Sequence, residues 1–249
     1  MSASNSISPI QCEEDIAPDI ATASSDYASR FAGLAGAYLL SVQNDTLKSV
    51  LRQYRGGTLL DVGGGHGQLR DLYAELSFTF VVQGSDQSCF ARLESPYAIE
   101  SRVVSDLRTL PFDDDQFDIV VAVRLICHLE DWEVVLTEMC RVASVAVILD
   151  FPSKRSLNAL TPLLFSYKKA IEKNTRAYTS FWPKTLSYIP ASEGFTSIRW
   201  KNQLFLPMVL HRVLRGSIVS RVVEVLCRAL GLTALFGSPV IQIAEKAEK

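Results

Sequence analysis

Lysine and arginine are missing from the first 29 positions, where Glu13, Glu14, Asp15, Asp19 and Asp26 stand unopposed. An export signal needs a basic start followed by a continuous apolar run, so none is expected, and residues 1–25 read as a mobile acidic tail. Cysteine is sparse: Cys12, Cys89, Cys127, Cys140 and Cys227 are odd in number and form no CxxC pair. That excludes a disulfide framework and a structural zinc finger, and favours a reduced, cytoplasmic chain. With His66, His128 and His211 as the only histidines, a His-rich metal site is excluded and no metal is expected. The longest uncharged apolar stretch, Ala229 to Ala244, is too short for a membrane span and is broken by Gly231, Gly237 and Pro239. A net charge of −2 and the lack of an N/D-P-P-Y-type motif speak against nucleic acid as partner.

The 249 residues are 48% hydrophobic, enough for a full core. Mean hydropathy of +0.15 is high for a soluble enzyme. From Tyr27 to Gln53 apolar residues recur at helical intervals. Short apolar runs then alternate with helix-like segments: Thr58–Val62, Thr79–Val82, Phe117–Val123 and Ser144–Phe151, with a weaker run at Ser101–Val104. Uninterrupted runs of this length suit strands buried on both faces, so a parallel sheet covered by helices is expected, as one domain over residues 26–249. Beyond Phe151, helices are expected over Ser156–Lys173 and Phe181–Ser192, and strands at Ile198–Phe205 and Val240–Ala244.

The densest signal is Leu59-Leu60-Asp61-Val62-Gly63-Gly64-Gly65-His66-Gly67-Gln68, an apolar strand running into a glycine cluster and then a helical pattern. Glycine serves where the backbone takes positive φ or a ligand approaches closely, and a doubly wound sheet puts such a turn where ligands bind. A dinucleotide fingerprint would need Gly or Ala at position 68, where Gln68 stands. Asp61, two residues before the first glycine, suits a cationic amine better than a pyrophosphate. Asp86 follows the next strand, 21 residues beyond Gly65, the place for a carboxylate that accepts from ribose hydroxyls.

These residues, with the block Asp106-Leu107-Arg108-Thr109-Leu110-Pro111-Phe112 and Phe117-Asp118-Ile119-Val120, resemble the motifs of class I S-adenosylmethionine-dependent methyltransferases. The likeness covers about Gly57 to Phe151 and is nearest to the ubiquinone/menaquinone-methyltransferase-like, small-molecule type. It implies a doubly wound, mostly parallel seven-stranded α/β sheet of the Rossmann-like methyltransferase fold, with S-adenosyl-L-methionine as cofactor. By the same resemblance Asp61, Gly63, Gly65, Gln68, Asp86, Gln87, Asp106, Leu107 and Arg124 bind cofactor, and Tyr27 and Arg30 close over it from an N-terminal helix. His128, after the fourth strand, is the candidate general base, while His66 is expected to pack near the cofactor. The Asp113–Asp115 run is expected to be a solvated turn.

Residues 207–236 form an apolar stretch in which Arg212, Arg215, Arg221 and Arg228 oppose only Glu224. Ile218, Val219, Val222, Val223, Leu226 and Leu230 share one helical face, expected to cover the chain's own domain or a dimer partner. An anionic membrane surface and a lid over an apolar pocket are the other uses of such a helix. The function expected is methyl transfer to a small, fairly apolar molecule at O, N or C, by a monomer or homodimer. The alternatives are a nicotinamide-dependent oxidoreductase on a related sheet, against which Gln68 and the Asp106–Phe117 block speak, and a non-catalytic cofactor-binding partner.

Overall fold

The computed structural model describes residues 17–93, 97–157, 178–214 and 218–247. Helices α1 (Pro18–Ala23), α2 (Ser25–Ser29) and α3 (Gly33–Leu51) precede strand β1 (Thr58–Val62). Then come α4 (Arg70–Glu75), β2 (Thr79–Gly84), β3 (Glu100–Val104), β4 (Phe117–Ala122), α5 (Trp132–Val142) and β5 (Ala143–Phe151). The chain closes with α6 (Pro183–Ser192), β6 (Phe195–Leu204), α7 (Met208–Val213), α8 (Ile218–Ala229), α9 (Leu232–Phe236) and β7 (Ser238–Lys246). The strands form one seven-stranded sheet in the order β3-β2-β1-β4-β5-β7-β6. Neighbours from β3 to β5 pair in parallel; β7 lies antiparallel to both β5 and β6.

The apolar runs become the inner strands because each must hide both faces. Leu60, Val62, Val120 and Val147 point into one core with Leu136 and Met139 of α5. Leu59, Phe80, Ile119 and Ile148 point into the other with Leu47 and Leu51 of α3. Glu133 in the first turn of α5 and Arg141 in its last complement the helix dipole. Arg141 also donates to the Phe112 and Leu110 carbonyls, at 2.8 and 3.0 Å, and pairs with Asp114 at 2.8 Å. Those bonds give the acidic Asp113–Asp115 turn a structural tether that the sequence reading did not foresee.

Three expectations change. The helix expected over Tyr27–Gln53 is broken at residues 30–32, and Gly33 starts the second piece at φ +75°. The end of the expected tail is ordered, with Pro18 at the first turn of α1, where its missing N–H costs nothing; residues 1–16 lie outside the described residues. The third is the direction of the 207–236 segment. It is three helices, and α8 turns Ser220, Glu224 and Cys227 inward while Ile218, Val219, Val222, Val225 and Leu226 face out. The apolar face therefore does not cover its own domain. The helix expected over Ser156–Lys173 lies, apart from its first two residues, outside the described residues.

Candidate active site

All the parallel strands end on one side of the sheet, and the motif residues gather there. β1 delivers Asp61 and then the turn, in which Gly63 and Gly67 take φ of +67° and +70° on either side of a short 3-10 helix, Gly64–His66. Side chains at the inner glycines are excluded by contact: a Cβ on Gly64 would sit 2.4 Å from the Asp61 carboxylate, and one on Gly65 2.5 Å from the Cys89 carbonyl. Gln83, at the end of β2, accepts from the Gly63 amide at 3.2 Å and donates to the Ser105 carbonyl at 2.9 Å. One buried amide thus ties the ends of three neighbouring loops together.

Asp61 is 1% exposed, and its Oδ1 has no hydrogen-bond partner among the described residues. Burial pushes its carboxyl up to about 7, against a smaller pull downward from the neighbouring Tyr73 hydroxyl. Asp86 is exposed; the Ser88 hydroxyl, and then the Ser88 amide that donates to Oδ1 at 2.8 Å, hold the carboxyl below its usual range. Gln87 is exposed beside it, at the start of the 3-10 helix Gln87–Phe90. Asp106 is exposed and accepts from Arg108, through the backbone amide at 2.8 Å and Nη2 at 2.7 Å, while Leu107 is buried. The Gln68 amide donates to His66 Nδ1 at 3.2 Å. Burial drives the His66 ring down to about 3, so it stays neutral and is no proton carrier at ordinary pH.

Past β4 the chain turns sharply at Arg124, with φ +60°. The Arg124 amide donates to Asp150 Oδ1 at 2.6 Å, its Nη2 donates to Gln43 Oε1, and its guanidinium lies 4.1 Å from the Phe31 ring centre. Gln43 Nε2 donates to the other Asp150 oxygen at 2.9 Å. This cluster forms one wall of a cavity of about 430 Å³, which Tyr27, Arg30, Cys127 and His128 also line. Leu39, Tyr178, Leu204, Leu206 and Met208 make much of the rest of its lining apolar. Leu125, next to Arg124 in sequence, packs on the turn: its side chain lies 3.0 Å from a Cβ placed on Gly63.

Residues 60–146 match the family profile described as a methyltransferase domain, a span that contains the glycine turn, Asp86, the Asp106 block and Arg124. The chain carries a class I S-adenosylmethionine-dependent methyltransferase domain. No curated protein sequence gives a significant match. Among solved structures, magnesium protoporphyrin IX methyltransferase from Synechocystis PCC 6803 with bound SAM is similar at a TM-score of 0.56 and 13% identity, over 98% of this chain and 100% of that one. A SAM-dependent methyltransferase from Archaeoglobus fulgidus is similar at 0.54 and 19% identity, over 82% of this chain and 94% of the other. The [4+2]-cyclase SpnF is similar at 0.54 and 16% identity, over 82% and 81%. These likenesses concern the fold.

The cofactor of this methyltransferase domain is S-adenosylmethionine, and the residues present suit it. An unpartnered buried carboxylate oxygen lies under a turn that admits no side chain, and a second carboxylate stands at the end of β2. Two findings were not anticipated. Arg124, Tyr27 and Arg30, expected at the cofactor, line the apolar cavity together with His128, the candidate base. And Asp19, read as part of a tail, is fully buried over that turn: it accepts from the Ser85 amide at 2.7 Å, the Ser85 hydroxyl at 2.6 Å and the Cys89 thiol at 3.3 Å. The signal for it was Pro18 at a helix start beside a lone acid. Gln43 and Asp150 went unnoticed because one lies inside a helix and the other ends an apolar strand. Removing the Asp19 carboxylate as Asp19→Ala leaves the Ser85 amide without its acceptor and is expected to cost roughly 1–3 kcal/mol. Chemical denaturation checks it, and an unchanged midpoint would show that α1 is held by its apolar contacts alone.

Proposed function

We propose that this methyltransferase alkylates a small, largely apolar acceptor bound in the 430 Å³ cavity. The observation that carries the reading is the cavity's composition: mostly aliphatic and aromatic side chains, with Arg30, Gln43, Arg124, His128, Asp150 and Gln203 as polar groups among them. Such a pocket holds an apolar body by burial and orients one polar end. In this reading Asp61, Gly63, Gly65 and Gln68 hold the amino-acid part of the cofactor, Asp86 and Gln87 the ribose, and Asp106 and Leu107 the adenine. Asp106 must then exchange part of its pairing with Arg108. Tyr27, Arg30 and Arg124 stand between cofactor and acceptor.

S-adenosylmethionine supplies an already activated methyl group, so the chain's part is alignment, exclusion of water and acceptance of a proton where the acceptor carries one. Alignment alone is worth roughly 7–11 kcal/mol in favourable cases. His128, the last residue of the 3-10 helix Ile126–His128 and part of the cavity lining, is the group we assign to the proton. A quinone-like or phenolic acceptor fits this arrangement.

The test combines titration of S-adenosylhomocysteine with transfer of labelled methyl to a panel of apolar phenols, enols and amines. Leu206 lines the cavity, whose lining includes no residue of the glycine turn, so Leu206→Trp is expected to lower transfer at least about tenfold and leave S-adenosylhomocysteine affinity unchanged. Tight cofactor binding with no transfer to any acceptor would replace this reading with one in which the fold serves other chemistry.

A further inference from the structure

The helix α8 is inside out for a surface helix. On its outer side Ile218 is 81% exposed, Val219 61%, Val225 66% and Leu226 56%, and Leu230 just beyond it is 74%. At 100° per residue these side chains with Val222 fill an arc of roughly 140°. The inner side is polar: Glu224 is 2% exposed and accepts from the Phe205 and Leu206 amides at 2.9 and 2.8 Å and contacts the His211 ring at 3.0 Å. That anchor fixes the roll of the helix and holds its apolar row toward solvent. The flanking helices add exposed Val213 and Leu214 on one side and Leu235 and Phe236 on the other.

Charge selects the occupant. Glu224 is the only acid between Phe205 and Gly237, and it is buried. The exposed charges along α8 are Arg221 and Arg228, adjacent in helical angle and bordering the apolar arc. A second copy docked by the same face would bring these cations against their own kind, with no acid to pair them. An anionic bilayer offers both an apolar layer for the row and negative headgroups for its border. No helix among the described residues is long and apolar enough to cross a membrane, so such a contact lies in the surface plane.

We propose that the α7–α9 face docks on anionic membrane surfaces. Met208, Val209 and Leu210 of α7 line the cavity, so docking would put the bilayer beside its C-terminal wall. Delivery of an apolar acceptor from the bilayer rests on the function proposed above; the docking itself does not.

The experiment is co-sedimentation of the full chain with phosphatidylcholine vesicles made with and without phosphatidylserine, at low and high salt, alongside sedimentation velocity without vesicles. The expected result is binding to the anionic vesicles that falls with salt, and at least an about tenfold loss in the double variant Val222→Glu/Leu226→Glu. Both positions are exposed, and the variant is expected to keep wild-type S-adenosylhomocysteine affinity, which verifies its fold separately from its docking. Absent binding at low salt, undiminished binding by the variant, or a dimer that the variant dissolves would each overturn the proposal. A docking chain that methylates nothing would overturn only the proposed function.

Discussion

Asp61→Asn is expected to make the free protein more stable at pH 8 while weakening S-adenosylhomocysteine by on the order of 10- to 100-fold. The two effects have one cause. Asp61 is buried with one oxygen unpartnered, and burial lifts its carboxyl to about 7. An unfolded aspartate titrates near ~3.9, so between about 4 and 7 the folded chain holds a proton that the unfolded chain has released. Stability from this group is complete below that window and is lost as the pH rises through it, by up to roughly 1.4 kcal/mol per pH unit. Above it the wild type carries a buried anion with one oxygen unpartnered, which asparagine does not. A cationic ligand group reverses the balance by pairing with the anion, so wild-type affinity should fall as the pH drops below about 7, and the asparagine variant should lose that dependence. Thermal melts and titrations at pH 5.5 and pH 8 (roughly 1.5 units below and 1 unit above that value) check both arms. A variant destabilised equally at both, with affinity intact, would place Asp61 in the turn's packing alone.

The parallel half of the sheet was legible because its strands are buried on both faces, which leaves uninterrupted apolar runs; β1 falls on the residues expected. Asp61, Asp86 and the glycines were legible for a different reason: turn backbone and strand-end carboxylates are fixed by local spacing. What was hidden depends on partners far along the chain. Asp19 reads as an ordinary tail acid until Ser85, 66 residues away, is brought against it. Arg124, Gln43 and Asp150 become one cluster only when β4, α3 and β5 converge. The segment at 207–236 misled because amphipathicity identifies two faces but not which is inward. Ordinarily the apolar one is, since burial of apolar surface outweighs the rest. Here two backbone amides just past β6 take the Glu224 carboxylate as their acceptor, and that bond sets which face turns inward.

That dependence makes Glu224→Ala the substitution with the largest expected loss of stability, about 3–5 kcal/mol. It removes one carboxylate that serves the Phe205 amide, the Leu206 amide and the His211 ring; Glu224 and His211 are buried and the two amide bonds half-buried. Burial alone would raise the Glu224 carboxyl, but the His211 ring and the two amides outweigh it and hold it below the usual glutamate range. Its contribution is therefore present above the unfolded glutamate value, near ~4.3, and is lost as the pH falls through the lower folded one. Wild type and variant should converge in acid and separate near neutrality, as denaturant midpoints at the two conditions will show. Glu224→Gln keeps an oxygen for one amide and is expected to fall between them. Because α7 lines the acceptor cavity while the glycine turn lies elsewhere, loosening this anchor should lower methyl transfer much more than cofactor affinity. Equal losses of both would mean that the anchor supports the whole domain rather than its C-terminal cover.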